Sequence, residues 1–225
     1  MHAQTTTQFA RFLRVREAAL LKEGQAATLA EISTEIENVR LAWRQAIANQ
    51  DVSALDQSME ALYRFYQTRS WFKEGAEMLG MVETAVSTNP LLIGRALSRR
   101  ARLLVRMSML EEGQQLLEKS LELLRPLSVP LEVASILSVM GVVAEMQGDY
   151  QQSRQTQTDS LAIFRKSGET WGEANALLRL GNVAYTVGEF SQARHFYQNS
   201  LRLRQESGDR RGVALCLNNL GSVAD

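Results

Sequence analysis

The side chains with most chemical promise are four arginines, Arg95, Arg99, Arg102 and Arg106, spaced i, i+4, i+7 and i+11. At 3.6 residues per helical turn that spacing draws a single stripe. A guanidinium presents a planar fork of donors that grips carboxylate or phosphate oxygens two at a time. The stripe suggests a seat for an acidic peptide, a small anionic effector or another domain; its plainer reading is a solvated face paired with local glutamates. A second set is rich in amides: Asn175, Arg179, Asn182 and Tyr185 with Leu178, then Asn218, Asn219 and Ser222, with Ser135, Ser138, Val142 and Glu145 in the matching places upstream. A carboxamide carries a donor and an acceptor, as a peptide backbone does. Asn218-Asn219-Leu220-Gly221 also serves as ordinary packing vocabulary.

Covalent and metal chemistry finds no comparable set. His2 and His195 are far apart and neither has metal-ligand spacing with an acid or thiol. His195 falls on the outward side of a helix. Cys216 is the single cysteine, so an internal disulfide is excluded, and it reads as a small buried hydrophobe. No Gly-x4-Gly-Lys-Ser/Thr loop occurs. Glu111-Glu112 suits a helix start, where carboxylates complement the dipole. Tyr63, Tyr66, Trp71 and Phe72 read as core packing near a hairpin turn. We therefore expect no catalytic residue, cofactor or metal. With 25 basic against 25 acidic residues there is no electrostatic footprint for duplex nucleic acid. No apolar run approaches the ~20 residues of a membrane span, and Met1–Thr7 lacks signal-peptide character. A cytoplasmic location is expected.

The elements that position these residues are helical. Only 3 prolines and 7% aromatics accompany abundant Leu, Ala, Gln, Glu and Arg. Gly141, Gly181 and Gly221 lie 40 positions apart, each after an apolar residue. In the same register Gly148-Asp149-Tyr150 matches Gly188-Glu189-Phe190, Ser160-Leu161 matches Ser200-Leu201, and Ser167-Gly168 matches Ser207-Gly208. About a dozen of 40 positions are identical between 131–170 and 171–210, and Ala101, Leu110, Gly113 and Ser120-Leu121 extend the register upstream. Each period reads as a helix hairpin. Ala174, Leu177, Leu180, Gly181 and Ala184 make one apolar face, and the second helix carries Phe190, Ala193, Tyr197, Ser200, Leu201 and Leu203 inward. Gly181 and Ala193 are expected to face one another where the helices cross. Asn89-Pro90 reads as an N-cap and first helical residue, and Pro126 and Pro130 bracket the next turn. One hairpin cannot bury its own face, so neighbours must stack into an all-α, α-α solenoid.

Leu177-x2-Leu180-Gly181, Gly188-x-Phe190 and Ala193-x3-Tyr197 resemble the tetratricopeptide signature in a long, 40-residue variant. Ala184 departs from it by replacing an aromatic. Thr156 and Gln157 replace apolar bulk, which predicts looser packing in 131–170. The resemblance implies that the first helix of each hairpin lines a concave groove, with the arginine stripe and the amide-rich set on that side.

Residues 3–23 and 26–49 read as two helices divided by Lys22-Glu23-Gly24-Gln25; 52–69 and 72–88 form a degenerate hairpin with Gly75 at its small-residue position. Glu35–Trp43 and Phe72–Leu79 resemble a segment common in bacterial signal-transduction ATPases with numerous domains, whose repeat array follows a nucleotide-binding switch. The organisation expected is 1–50 helical linker or cap, 51–90 degenerate repeat, and 91–225 tetratricopeptide repeats (91–130, 131–170, 171–210 and the half repeat 211–225). A half repeat leaves an apolar face uncovered, which suggests a fragment, or a dimer through that face. The first functional reading is a non-catalytic interaction or effector-sensing domain of a multidomain regulator. The second is a free-standing adaptor that binds peptides or proteins. A helical-repeat enzyme is disfavoured by the missing catalytic set.

Overall fold

The computed structural model describes residues 2–21, 25–86 and 88–223. Among these are twelve α-helices and no strand, arranged as antiparallel hairpins within two compact units, Met1–Leu124 and Arg125–Asp225.

The first unit contains α1 (His2–Arg14), a 3-10 turn (Ala19–Leu21), α2 (Gln25–Thr34), α3 (Ile36–Ala48), α4 (Val52–Thr68), α5 (Phe72–Ala85), α6 (Pro90–Arg106) and α7 (Leu110–Leu124). Its core gathers Trp43, Leu62, Phe65, Tyr66, Leu79 and Leu103. The segment before residue 50 departs from the two expected helices: α1 stops at Arg14, and a break at Glu35 separates α2 from α3. Just before the break, Ser33 Oγ donates to the Leu29 carbonyl at 2.7 Å and Thr34 Oγ1 to that of Ala30 at 3.1 Å. Such back-bonding competes with the helical ladder and bends it. The predicted divider at Lys22–Gly24 lies outside the described residues.

Asn89 caps α6 by accepting from Leu92 N, with Pro90 at the first helical position, as predicted. Asp51 caps α4 in the same way. Gly75 sits against Tyr66, where an added Cβ would stand 2.7 Å from the Cβ of the tyrosine, so the small residue sets the approach of α5 to α4. Tyr63 and Tyr66 are buried as expected. Trp71 is not: it is 40% exposed, because it stands at the N-cap of α5 and lays only an edge against Phe65 and Tyr66.

The second unit contains a 3-10 turn (Arg125–Leu127), α8 (Pro130–Gln147), α9 (Tyr150–Ser167), α10 (Thr170–Thr186), α11 (Phe190–Ser207) and α12 (Arg210–Ser222). α8 pairs with α9, α10 with α11, and α9 and α11 also pack on the first helix of the following hairpin. Gly148, Gly168, Gly188 and Gly208 take left-handed φ values between 66° and 82° and end a helix every 20 residues. Asp149, Glu169 and Asp209 then accept the first backbone N–H groups of the next helix. Glu189 instead pairs with Arg154.

A buried serine marks each of the three hairpins from α6 to α11. Ser120, Ser160 and Ser200 each donate to the carbonyl 26 residues earlier, of Gly94, Ala134 and Ala174, at 2.7–2.8 Å. This bond ties the second helix to the fifth residue of its partner.

Three packing expectations change. Gly181 faces Tyr197 rather than Ala193, its would-be Cβ lying 2.4 Å from the tyrosine ring. Phe190 is 53% exposed, because at the first position of α11 it leans outward on Tyr185. Thr156 and Gln157 do not loosen the third hairpin. Gln157 is fully buried, donates to the Ser138 carbonyl at 2.8 Å and accepts from Ser138 Oγ, while Thr156 returns its hydroxyl to its own helix. Polar bonds replace apolar bulk there.

α8 alone among the described helices has the length and mean hydropathy, 1.2, of a membrane span. Its Ala134, Ile136, Leu137, Gly141, Val143 and Ala144 are buried, a third of the helix.

Candidate functional site

In the first unit the arginine stripe of α6 meets an acidic row on α4. Arg95 Nη1 bonds Asp56 Oδ1 at 2.7 Å, and Arg99 Nε bonds Glu60 Oε2 at 3.0 Å. The other oxygen of Glu60 takes Arg64 at 2.6 Å, and Arg102 adds its field. Burial alone would raise the Glu60 pKa, but Arg99 and Arg64 overcome it and hold the carboxyl below its ordinary value of 4.5. Arg106 is exposed, with its guanidinium 5.6 Å from the Phe72 ring centroid. Asp56 and Glu60 escaped the sequence reading. Their signal was present: each lies 39 residues before its arginine, one repeat less one position.

The amide-rich residues divide into two groups. Asn175 is drawn inward, where its Oδ1 accepts from Arg204 Nη2 at 2.7 Å. Arg204, only 4% exposed, also pairs with Asp209 and donates to Ser200 Oγ, and Cys216 is buried beside that hydroxyl. This network fastens α12 to the preceding hairpin and holds part-buried Asn175 by its oxygen, while its Nδ2 is buried without a hydrogen-bond partner. Phe164, the residue 40 positions before Arg204, is apolar, which is why the repeat gave no hint of a buried cation.

Asn182 is half-buried. Its Oδ1 accepts from Tyr197 Oη and from Asn219 Nδ2, both at 3.1 Å. Two donors on the oxygen fix the plane of the carboxamide and leave its amide N–H pair to an incoming acceptor. Burial pushes the Tyr197 hydroxyl up to about 12, so it stays a donor at neutral pH. Arg179, one turn before Asn182, stands 3.9 Å from Glu145 Oε2 on α8. Asn218 is exposed, and so is Tyr185, whose ring meets Phe190 edge to face at 5.6 Å. The first helices α8, α10 and α12 thus form one row of oriented polar groups: Glu145, Arg179, Asn182, Asn219. His195 is exposed, and His2 falls outside the described side chains. No group of three potential metal ligands occurs among the described residues.

In α12, Leu215 and Leu217 are 48% and 54% exposed, whereas Leu137 and Leu177, earlier in the same register as Leu217, are buried. Ala224, placed in that register by the sequence, lies outside the described residues.

The motif segments of the first unit touch. Arg40 pairs with Glu74 as well as Glu37, and Trp43 Nε1 donates to the Met78 carbonyl at 2.8 Å. The two stretches that resemble regulator sequences therefore form one packed joint.

Antiparallel hairpins with small crossing residues, serine ties and a polar first-helix row define a helical-repeat interaction protein. The family model for the tetratricopeptide repeat matches residues 92–166 and 172–225, and the chain belongs to that family. Solved structures that share the fold include the following three. BtubC from P. vanneervenii is 18% identical, with a TM-score of 0.68 over 90% of this chain and 84% of that one. PH0952 from Pyrococcus horikoshii, a signal transduction ATPase with numerous domains carrying a tetratricopeptide repeat sensor, is 15% identical, with a TM-score of 0.66 over 98% of this chain and 34% of that one. A Rap protein complexed with Competence and Sporulation Factor is 12% identical, with a TM-score of 0.65 over 99% and 70%. No curated protein sequence matches.

Proposed function

We propose that this chain is the ligand-sensing module of a multidomain cytoplasmic regulator, and that an extended peptide segment binds along α8, α10 and α12. The observation that carries the reading is Asn182, whose carboxamide is oriented by Tyr197 and Asn219 before any ligand arrives. Such preorganisation removes part of the ordering cost of binding. The arginine row on α6 offers a second seat, for an anionic effector, where a ligand must displace Asp56 and Glu60. The likeness to a sensor-bearing ATPase along nearly the whole chain, and the joint between Arg40–Trp43 and Glu74–Met78, favour a switch attached elsewhere in a longer protein. That a Rap protein of the same fold is complexed with Competence and Sporulation Factor supports a ligand-binding role for the repeats. A free-standing adaptor would use the same groove.

Anisotropy of fluorescein-labelled dodecapeptide pools tests the groove. Asn182→Ala and Asn219→Ala should each weaken binding about fivefold to tenfold, one hydrogen bond being worth about 1 kcal/mol. Unchanged affinity in both variants would refute the reading.

A further inference from the structure

Glu145 lies in the row with Arg179 and Asn182, and its side chain keeps only 23% of its exposure. Its Oε2 is buried and accepts no hydrogen bond. The nearest cation, Arg179, is 3.9 Å away, beyond hydrogen-bonding distance. A carboxylate oxygen taken out of water without a donor is costly, and a ligand that supplies the donor recovers that cost. The groups around it define what fits. Tyr197 of α11 donates its hydroxyl to Asn182 and feels the charge of Glu145. Arg179 of α10 is 41% exposed on its side chain, so it is able to turn toward a ligand carbonyl or carboxylate.

We propose that Glu145 is the specificity-determining residue of this groove, receiving a basic side chain, ammonium or guanidinium, of the bound peptide. The assignment rests on the peptide-groove reading above and sharpens it. Burial raises the carboxyl pKa of Glu145 and Arg179 only partly offsets this. An arriving cation favours the ionised form and supplies the donor that Oε2 lacks. The charge preference is thus opposite to that of the arginine row on α6.

The test uses the whole 225-residue chain and N-acetylated, C-amidated dodecapeptide pools identical except for one fixed residue, Lys, Arg, Gln or Glu. Blocking the termini separates side-chain recognition from capture of an α-ammonium, which an unblocked Gln pool reports. Wild-type chain should bind the Lys and Arg pools about tenfold more tightly than the Gln pool. Glu145→Gln should bring that ratio near one, and Glu145→Lys should turn it toward the Glu pool, with helical circular dichroism verifying the fold of each variant. A basic preference that survives in Glu145→Gln, equal binding of all blocked pools by wild type, or a preference for the unblocked α-ammonium alone overturns the assignment. The Asn182→Ala variant keeps the two ideas apart. It should weaken every pool without altering the Lys-to-Gln ratio, so a vanished ratio with Asn-dependent binding intact condemns only the role of Glu145. Failure of every pool to bind condemns both.

Discussion

Replacing Gly181 with alanine probes the contact that sets the spacing of the fourth hairpin. The new Cβ would lie 2.4 Å from Cε1 and 2.6 Å from Cδ1 of Tyr197. Carbon atoms in contact prefer about 3.5–4.0 Å, so the ring must retreat by about 1 Å. It has little room to do so. Tyr197 is 2% exposed and its hydroxyl is bonded to Asn182. Overpacking of this kind costs about 1–3 kcal/mol, the strained hydrogen bond adds about 1 kcal/mol, and alanine's better helix propensity offsets about 1 kcal/mol. The expected net loss is about 1–3 kcal/mol. Gly221 occupies the same register, but a Cβ there meets nothing within 4 Å. Gly221→Ala should therefore stabilise the chain slightly, by at most about 1 kcal/mol. Urea denaturation followed by circular dichroism compares the two. The double variant Gly181→Ala with Tyr197→Leu should recover about 1 kcal/mol through coupling. Equal stability of the two alanine variants, or no recovery in the double variant, would show that the tyrosine is not what the glycine accommodates.

Two further predictions concern charge. Arg204→Ala should cost about 3 kcal/mol, because it strips a buried cation from Asp209, Asn175 and Ser200; the pair Arg204→Phe with Asp209→Asn should be close to neutral, and a loss below about 1 kcal/mol in the alanine variant counts against the network. Glu60 has a folded pKa below its ordinary 4.5, so its contribution is present above pH 4.5 and is lost as pH falls through the folded value. Glu60→Gln should lower stability at neutral pH by about 1.5–3 kcal/mol and flatten the acid limb of the stability profile. An unchanged acid limb in urea titrations would count against the pairing with Arg99 and Arg64.

The repeat was legible because it is written in residues whose role is steric and local. Glycine at 148, 168, 188 and 208 supplies left-handed turns, and Ser160 and Ser200 supply one recurring bond. The partner of each small residue was not legible. Gly141 makes room for Gln157 and Gly181 for Tyr197, 16 residues later in both cases, while Ala193 lies too early in its helix to meet Gly181. The break at Glu35 was hidden because Ser33 and Thr34 are tolerated in helices and reveal their effect only through the carbonyls they choose. Arg204 was hidden more deeply. A charged residue on a repeat with no charged precedent reads as surface, and its burial depends on Asn175 and Asp209 arriving from two other elements.

The polar rows of the two units show why residue type alone did not locate the candidate site. In the first unit, acids on α4 and arginines on α6 stand 39 residues apart and meet at 2.7 and 3.0 Å. A ligand there must break made bonds before it forms new ones, so much of its interaction energy cancels. In the second unit, Glu145 and Arg179 stand 3.9 Å apart without a hydrogen bond, beside a carboxamide whose orientation is already set. A ligand there displaces no hydrogen bond of Glu145 Oε2, but the carboxylate must turn outward and Arg179 must give way for it. The arginine stripe was the more conspicuous pattern in the sequence because four guanidinium groups share one helix face. We propose the row on α8, α10 and α12 as the better seat because its polar groups are held in place yet incompletely satisfied, a property of three helices together rather than of any one of them.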